Sequence, residues 1–125
     1  MLESLHANPW LWALVFIGGA IGTGLRDGLG QWMRSKQTSS FPYATLVVNV
    51  LGCFLIGLCM PWSDEPTFRL LVMAGFLGGL TTFSTWVWEC THFYKERKYR
   101  LLISYTIASY GFGIGAVWVG QWLIR

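Results

Sequence analysis

Phe68-Arg69-Leu70-Leu71-Val72-Met73-Ala74-Gly75-Phe76-Leu77-Gly78-Gly79-Leu80-Thr81-Thr82-Phe83-Ser84-Thr85-Trp86-Val87-Trp88 is the stretch on which the fold of this chain turns. As a helix rising about 1.5 Å per residue it covers the roughly 30 Å of a bilayer's hydrocarbon. Its single charge, Arg69, stands at one end. Its middle holds two adjacent glycines and then hydroxyl side chains at Thr81, Thr82, Ser84 and Thr85. Gly-Gly weakens a helix, and a hydroxyl in hydrocarbon needs a partner. Interrupted backbone at membrane depth survives only where protein or a cavity satisfies it. Carbonyls freed by a break can meet a cation, and freed N–H groups an anion. A kink satisfied by neighbouring hydroxyls and a binding site both fit this pattern.

Three more apolar stretches flank this one: Trp10 to Leu25, with helix continuing to Met33, Tyr43 to Met60, and Leu101 to Ile124. The expectation is an all-α integral membrane protein, one transmembrane domain over residues 1–125, with spans at about 10–33, 43–60, 68–92 and 101–124. The first reaches span length only by including Arg26 and Asp27. Composition agrees: 54% hydrophobic residues and only 12% charged, against about 25% charged in soluble domains. That excludes disorder and argues against a soluble enzyme. All four prolines (Pro9, Pro42, Pro61, Pro66) flank spans, and aromatics such as Trp10, Trp32, Tyr43, Trp62, Trp88, Tyr94 and Trp122 gather near span ends, as in an interfacial belt. The start, with Glu3 and His6 but no basic residue, does not read as a cleavable signal. The net charge of +3 sits in short loops and is no nucleic-acid footprint. Cys53, Cys59 and Cys90 read as small buried apolar residues, not a disulfide framework.

Polar residues within the spans carry what chemistry there is. Thr45 and Asn49, four apart, share a helix face. The Asn49 amide offers two donors, for an anion or for a neighbouring helix. Phe83 and Trp86 lie on nearly one face, either as packing or with their positive ring edges toward an anion. Tyr105, Ser109 and Gly113 form a stripe that lines a path or bonds another helix. Arg26 and Asp27 read as a local pair or as snorkelling. Glu89 and His92 read as solvated groups near an interface. Gly18/Gly22, Gly24/Gly28, Gly75/Gly79 and Gly111/Gly115 read as helix-packing pairs. There is no metal-ligand cluster, no nucleophile with a base, no phosphate loop and no dinucleotide fingerprint, so no enzyme is expected.

Three stretches resemble the Fluc (CrcB) family of fluoride channels: Gly18-Gly19-Ala20-Ile21-Gly22-Thr23-Gly24-Leu25-Arg26, Thr45-Leu46-Val47-Val48-Asn49, and Gly78-Gly79-Leu80-Thr81-Thr82-Phe83-Ser84-Thr85. The resemblance covers nearly the whole chain. It implies an antiparallel dimer of four-helix subunits in a prokaryotic plasma or inner membrane, with two pores passing fluoride passively and so relieving fluoride toxicity. It implies a third helix broken in mid-membrane and a structural sodium ion held on the dimer axis by the backbone carbonyls of Gly78 and Thr81. The pore residues it implies are Asn49, Phe83, Trp86, Thr45, Tyr105 and Ser109, with Arg26 structural. Trp86 stands where the family usually has Phe, Gly113 where a Ser is often found, and Ala44 where Gly is usual.

Two other readings compete. A small multidrug transporter shares the size and pairing but needs a membrane-embedded carboxylate, and Trp10 to Leu25 contains none. A degenerate subunit completing a heterodimeric fluoride channel is compatible with Trp86 and Gly113. Charge bears on the partner. Arg34, Lys36, Lys95, Arg97, Lys98 and Arg100 lie on one side, while the other carries only Arg69 and Arg125. The positive-inside rule then puts both termini outside. A chain of fixed orientation pairs antiparallel only with a separate homologous subunit; a second copy of itself requires that crowded loops weaken the rule.

Overall fold

The computed structural model describes residues 8–125, and every regular element among them is helical. Glu3 and His6 lie outside the described residues. Helix α1 is Pro9–Lys36. The Asn8 side chain accepts the Trp10 N–H, and Pro9 occupies the first turn, where its missing N–H is no loss. Helix α2 is Tyr43–Cys59, followed by a 3-10 turn, Met60–Trp62. Residues 66–80 form α3, which opens as Pro66–Phe68, widens into a π-helix over Arg69–Leu77 and ends as Gly78–Leu80. Helix α4 is Phe83–Lys95 and α5 is Tyr99–Ile124.

By length and apolarity, three stretches among the described residues can cross a membrane: Tyr43–Trp62, Pro66–Lys95 and Tyr99–Ile124. The first of the four expected spans is not among them. Helix α1 has 28 residues, enough length, but Arg26, Asp27, Arg34 and Lys36 dilute its second half.

Glycines set the closest approaches between helices. α1 lies on α3 where Gly18 and Gly22 face Gly75, Phe76 and the Leu71 carbonyl. α2 lies on α5 where Gly57 meets the Val117 backbone and Gly120 meets Phe54. The pairs Gly24/Gly28 and Gly111/Gly115, expected to pack, have no atom within 4 Å of where a Cβ would stand. Gly57 and Gly120 do this work for α2 and α5 instead, across elements and so outside any spacing rule on one helix. A methyl on Gly22 would lie 2.1 Å from the Phe76 carbonyl oxygen. Gly22→Ala is therefore expected to cost about 1–3 kcal/mol, as overpacking does. Thermal unfolding in detergent checks this; an unchanged midpoint would mean that α1 yields freely.

The core is small. Leu46, Phe93 and Tyr105 are buried together, with Trp86 and Cys90 against them. Large apolar side chains cover the outside instead, Phe16 at 79% and Trp118 at 74% exposure among them.

The α4–α5 turn holds the one non-glycine residue with positive φ among the described residues, Arg97 at 57°. Around it Glu96, Arg97 and Lys98 donate their N–H groups to His92, Tyr94 and Phe93 carbonyls, the helix-ending pattern in which glycine is favoured. Arg97→Gly relieves the left-handed backbone. It is expected to stabilise by about 0.5–1 kcal/mol, measurable as a raised unfolding midpoint.

Candidate functional site

Helical winding stops at Leu80. Thr81 (φ −87°, ψ 157°) and Thr82 (φ −145°, ψ 121°) are extended, and winding resumes at Phe83. The expected weak point was Gly78-Gly79, yet Gly78 is helical at φ −63°, ψ −37°. The missing side chain serves packing: a Cβ on Gly79 would lie 2.5 Å from the Gly19 carbonyl oxygen. The extended backbone falls instead on two β-branched threonines, which suit it.

Neighbouring side chains rebuild what the helix loses here. Asn49 binds the Thr82 backbone at both ends: Nδ2 donates to the Thr82 carbonyl at 2.9 Å and Oδ1 accepts the Thr82 N–H at 2.8 Å. Thr81 Oγ1 donates to the Leu77 carbonyl at 2.9 Å. Thr82 Oγ1 caps α4 by accepting the Thr85 N–H at 3.3 Å. Arg26, read as a local pair, makes that pair with Asp27 and also donates Nη1 to the Gly79 carbonyl at 3.2 Å. Gly52 gives α2 room beside Thr81; a Cβ there would meet Thr81 Cγ2 at 2.1 Å.

This arrangement has a consequence for two carbonyls. In a continuous helix the Thr82 N–H would bond the Gly78 oxygen and the Thr85 N–H the Thr81 oxygen. Here those donors go to Asn49 and to the Thr82 hydroxyl. Among the described residues no group of three or more His, Cys, Asp or Glu could hold a metal ion.

A groove of about 420 Å³ opens beside the junction. Asn49, Phe83, Trp86 and Ser109 line it together, with Thr81, Thr82 and Gly113. Phe83 and Trp86 stack, centroids 5.5 Å apart and planes 25° from parallel. Trp86 Nε1 donates to Ser109 Oγ at 3.2 Å, and Ser109 Oγ donates to the Tyr105 carbonyl at 2.7 Å.

Thr45 and Tyr105 go elsewhere. Thr45 lines a smaller recess of about 190 Å³ with Arg26, Asp27, Arg34 and Thr85. Thr82 belongs to both cavities, so the extended junction is the wall between them. Tyr105 lines neither; it is wholly buried. Its hydroxyl donates to Glu89 Oε2 at 2.6 Å, and Thr45 Oγ1 donates to Glu89 Oε1 at 2.8 Å. Glu89, read as solvated, is thus the common acceptor of two buried hydroxyls from α2 and α5. A signal for this lay in the chain: Glu89 falls three residues after Trp86, beside the stripe Trp86, Cys90, Phe93 that α4 turns inward. His92 is half-exposed, with Nε2 3.0 Å from Glu96 Oε1.

Comparison with known proteins points one way. A family model described as CrcB-like protein, Camphor Resistance (CrcB), matches residues 13–121. The chain is 38% identical over 110 residues to "Fluoride-specific ion channel FluC 1" of Listeria monocytogenes, covering 88% of this chain and 93% of that protein. It is 39% identical over 117 residues to "Fluoride-specific ion channel FluC" of Solibacter usitatus, covering 90% and 96%. It is 38% identical over 112 residues to "Fluoride-specific ion channel FluC 2" of Symbiobacterium thermophilum, covering 86% and 91%.

Proposed function

This chain belongs to the CrcB-like family, and from that premise we propose that it is a subunit of a fluoride channel that lets fluoride leave the cell passively and so relieves its toxicity. Its named relatives are ion channels, and the chain is not an enzyme. The observation that carries the reading is the single groove lined by Asn49, Phe83, Trp86 and Ser109. Four residues from three helices, each singled out for its polarity or its ring edges, converge there on one wall. A small anion leaving water needs hydrogen-bond donors in place of its hydration shell. The groove offers amide and indole N–H groups and ring edges, with Thr45 and Arg26 in the adjoining recess. Purified chain in liposomes is expected to release trapped fluoride, read by a fluoride electrode, while retaining chloride. Absence of release from this chain, both alone and with a homologous subunit, would refute the proposal.

At the junction the carbonyl oxygens of Gly78 and Thr81 would hold a sodium ion shared with a second subunit. The diversion of their helical donors supports this, as does the exposure of Gly78. A bound sodium supplies positive charge to offset the lone pairs that interrupted backbone leaves at membrane depth. In an experimental map of the assembled channel, a cation density coordinated by backbone oxygens alone is expected between subunits; water or a side-chain amine in its place would remove the ion from the account.

The partner we propose is a separate homologous subunit in an antiparallel pair, in a prokaryotic plasma membrane. Six basic residues against two support one fixed orientation. Numbered names among the relatives, FluC 1 and FluC 2, fit organisms that carry more than one such chain. With the native cysteines replaced, Ser63→Cys is expected to label from outside intact cells and Ser39→Cys is not. Equal labelling of both would restore a homodimer inserted in both directions.

A further inference from the structure

Of the hydroxyl groups that line the groove, those of Thr81, Thr82 and Ser109 have their protons already placed. Thr81 Oγ1 donates to the Leu77 carbonyl, Thr82 Oγ1 to Thr85 Oγ1 at 3.0 Å, and Ser109 Oγ to the Tyr105 carbonyl. Each hydroxyl has one proton to give. Asn49 has two N–H groups and spends one on the Thr82 carbonyl. Two further donors line the groove, the Tyr110 hydroxyl and Trp86 Nε1, and the direction of the second is fixed by its acceptor, Ser109 Oγ.

That bond is the weakest held of the set. It is neutral, 3.2 Å long, and ends on a hydroxyl whose own proton stays bonded to Tyr105 when the indole leaves. An anion offers the same N–H a shorter, charge-assisted bond. The Thr81 and Ser109 protons would each have to leave a shorter bond to a backbone carbonyl, and the Thr82 proton its shorter bond to Thr85 Oγ1. Trp86 is also fixed for the role. It stacks on Phe83 and meets the edge-on ring of Tyr110 at 5.8 Å, so the indole can pivot little and N–H exchange needs only a small shift.

We infer that the Trp86 indole N–H, and not the Ser109 hydroxyl, is the donor that a small, strongly hydrogen-bond-accepting anion meets in this groove, alongside the free N–H of Asn49. Ser109 is a positioning residue that holds the indole until the anion arrives. The inference rests on the fluoride-channel reading, and the two fail differently.

The test uses the assembled channel in liposomes and fluoride as the probe. Replacing Trp86 with benzothienylalanine keeps the ring's size and removes only the N–H. Fluoride flux is expected to fall about tenfold or more, the equivalent of one hydrogen bond to a charged group. Flux equal to or above that of the unmodified channel overturns the inference, as does a larger loss in Tyr110→Phe than at Trp86. Should the Trp86 analogue not assemble, Ser109→Ala decides. Freeing the indole from its holder is expected to raise fluoride flux about threefold, the scale of a weak neutral hydrogen bond, whereas a tenfold fall would make Ser109 the ligand. An unmodified channel that passes no fluoride at all is the separate failure of the underlying reading.

Discussion

Asn49→Asp is expected to abolish fluoride flux, by about 100-fold or more, and to loosen the junction between α3 and α4. Both effects come from one loss. The carboxylate can still accept the Thr82 N–H, as Oδ1 does now at 2.8 Å, so that half of the clamp survives. It has no N–H to replace the 2.9 Å bond from Nδ2 to the Thr82 carbonyl, and two oxygens would face each other there. The groove meanwhile loses a donor and gains a like charge against the anion. One hydrogen bond to a charged group contributes about 1.5–3 kcal/mol, and repulsion in a site poor in water adds to it. The stability cost, about 1–3 kcal/mol for a carbonyl left unsatisfied, should be visible in thermal unfolding. Liposome flux is the deciding measurement. An Asn49→Asp channel that conducts normally would take Asn49 out of the pathway and leave it only as a clamp.

Glu89→Leu is expected to destabilise the subunit by about 2–5 kcal/mol. The Tyr105 hydroxyl, in a fully buried residue, and the Thr45 hydroxyl both end on this carboxyl group. Leucine would strand two donors, each costing about 1–3 kcal/mol when buried without a partner. Glu89→Gln keeps one oxygen as acceptor, and the tyrosine hydroxyl can turn to accept from the amide, so a much smaller loss is expected. Unfolding midpoints in detergent compare the two. If Glu89→Leu and Glu89→Gln shift the midpoint equally, the two hydroxyls do not depend on the carboxyl group.

Much of the site was legible in the chain because helices repeat. Thr45 and Asn49 share a face by their spacing of four, and Phe83 stacks on Trp86 by their spacing of three. Hydroxyls in hydrocarbon announce themselves because each needs a partner. What spacing could not supply was the identity of those partners. Thr45 and Asn49 point the same way, yet one reaches Glu89, 44 residues on, and the other Thr82, 33 residues on. The junction was misplaced by two residues for a related reason. A glycine pair reads as backbone freedom, but Gly79 is small because Gly19 crosses it. Steric need from a neighbouring helix leaves the same mark in sequence as conformational need.

Composition and the lengths of apolar runs, set by bilayer thickness and by the free energy of charge in hydrocarbon, determined from sequence alone that this is a helical membrane protein. They also determined which polar side chains must find partners, since an unpaired polar group is costly wherever the helix lies. Only tertiary structure decided that Asn49 clamps Thr82 and that Arg26 reaches the Gly79 carbonyl. It also decided that Glu89 gathers Thr45 and Tyr105 while Ser109 holds the indole. These are bonds between elements, each a few ångströms long. They depend on how closely glycines let one helix approach another, a distance that no periodicity along a single helix contains.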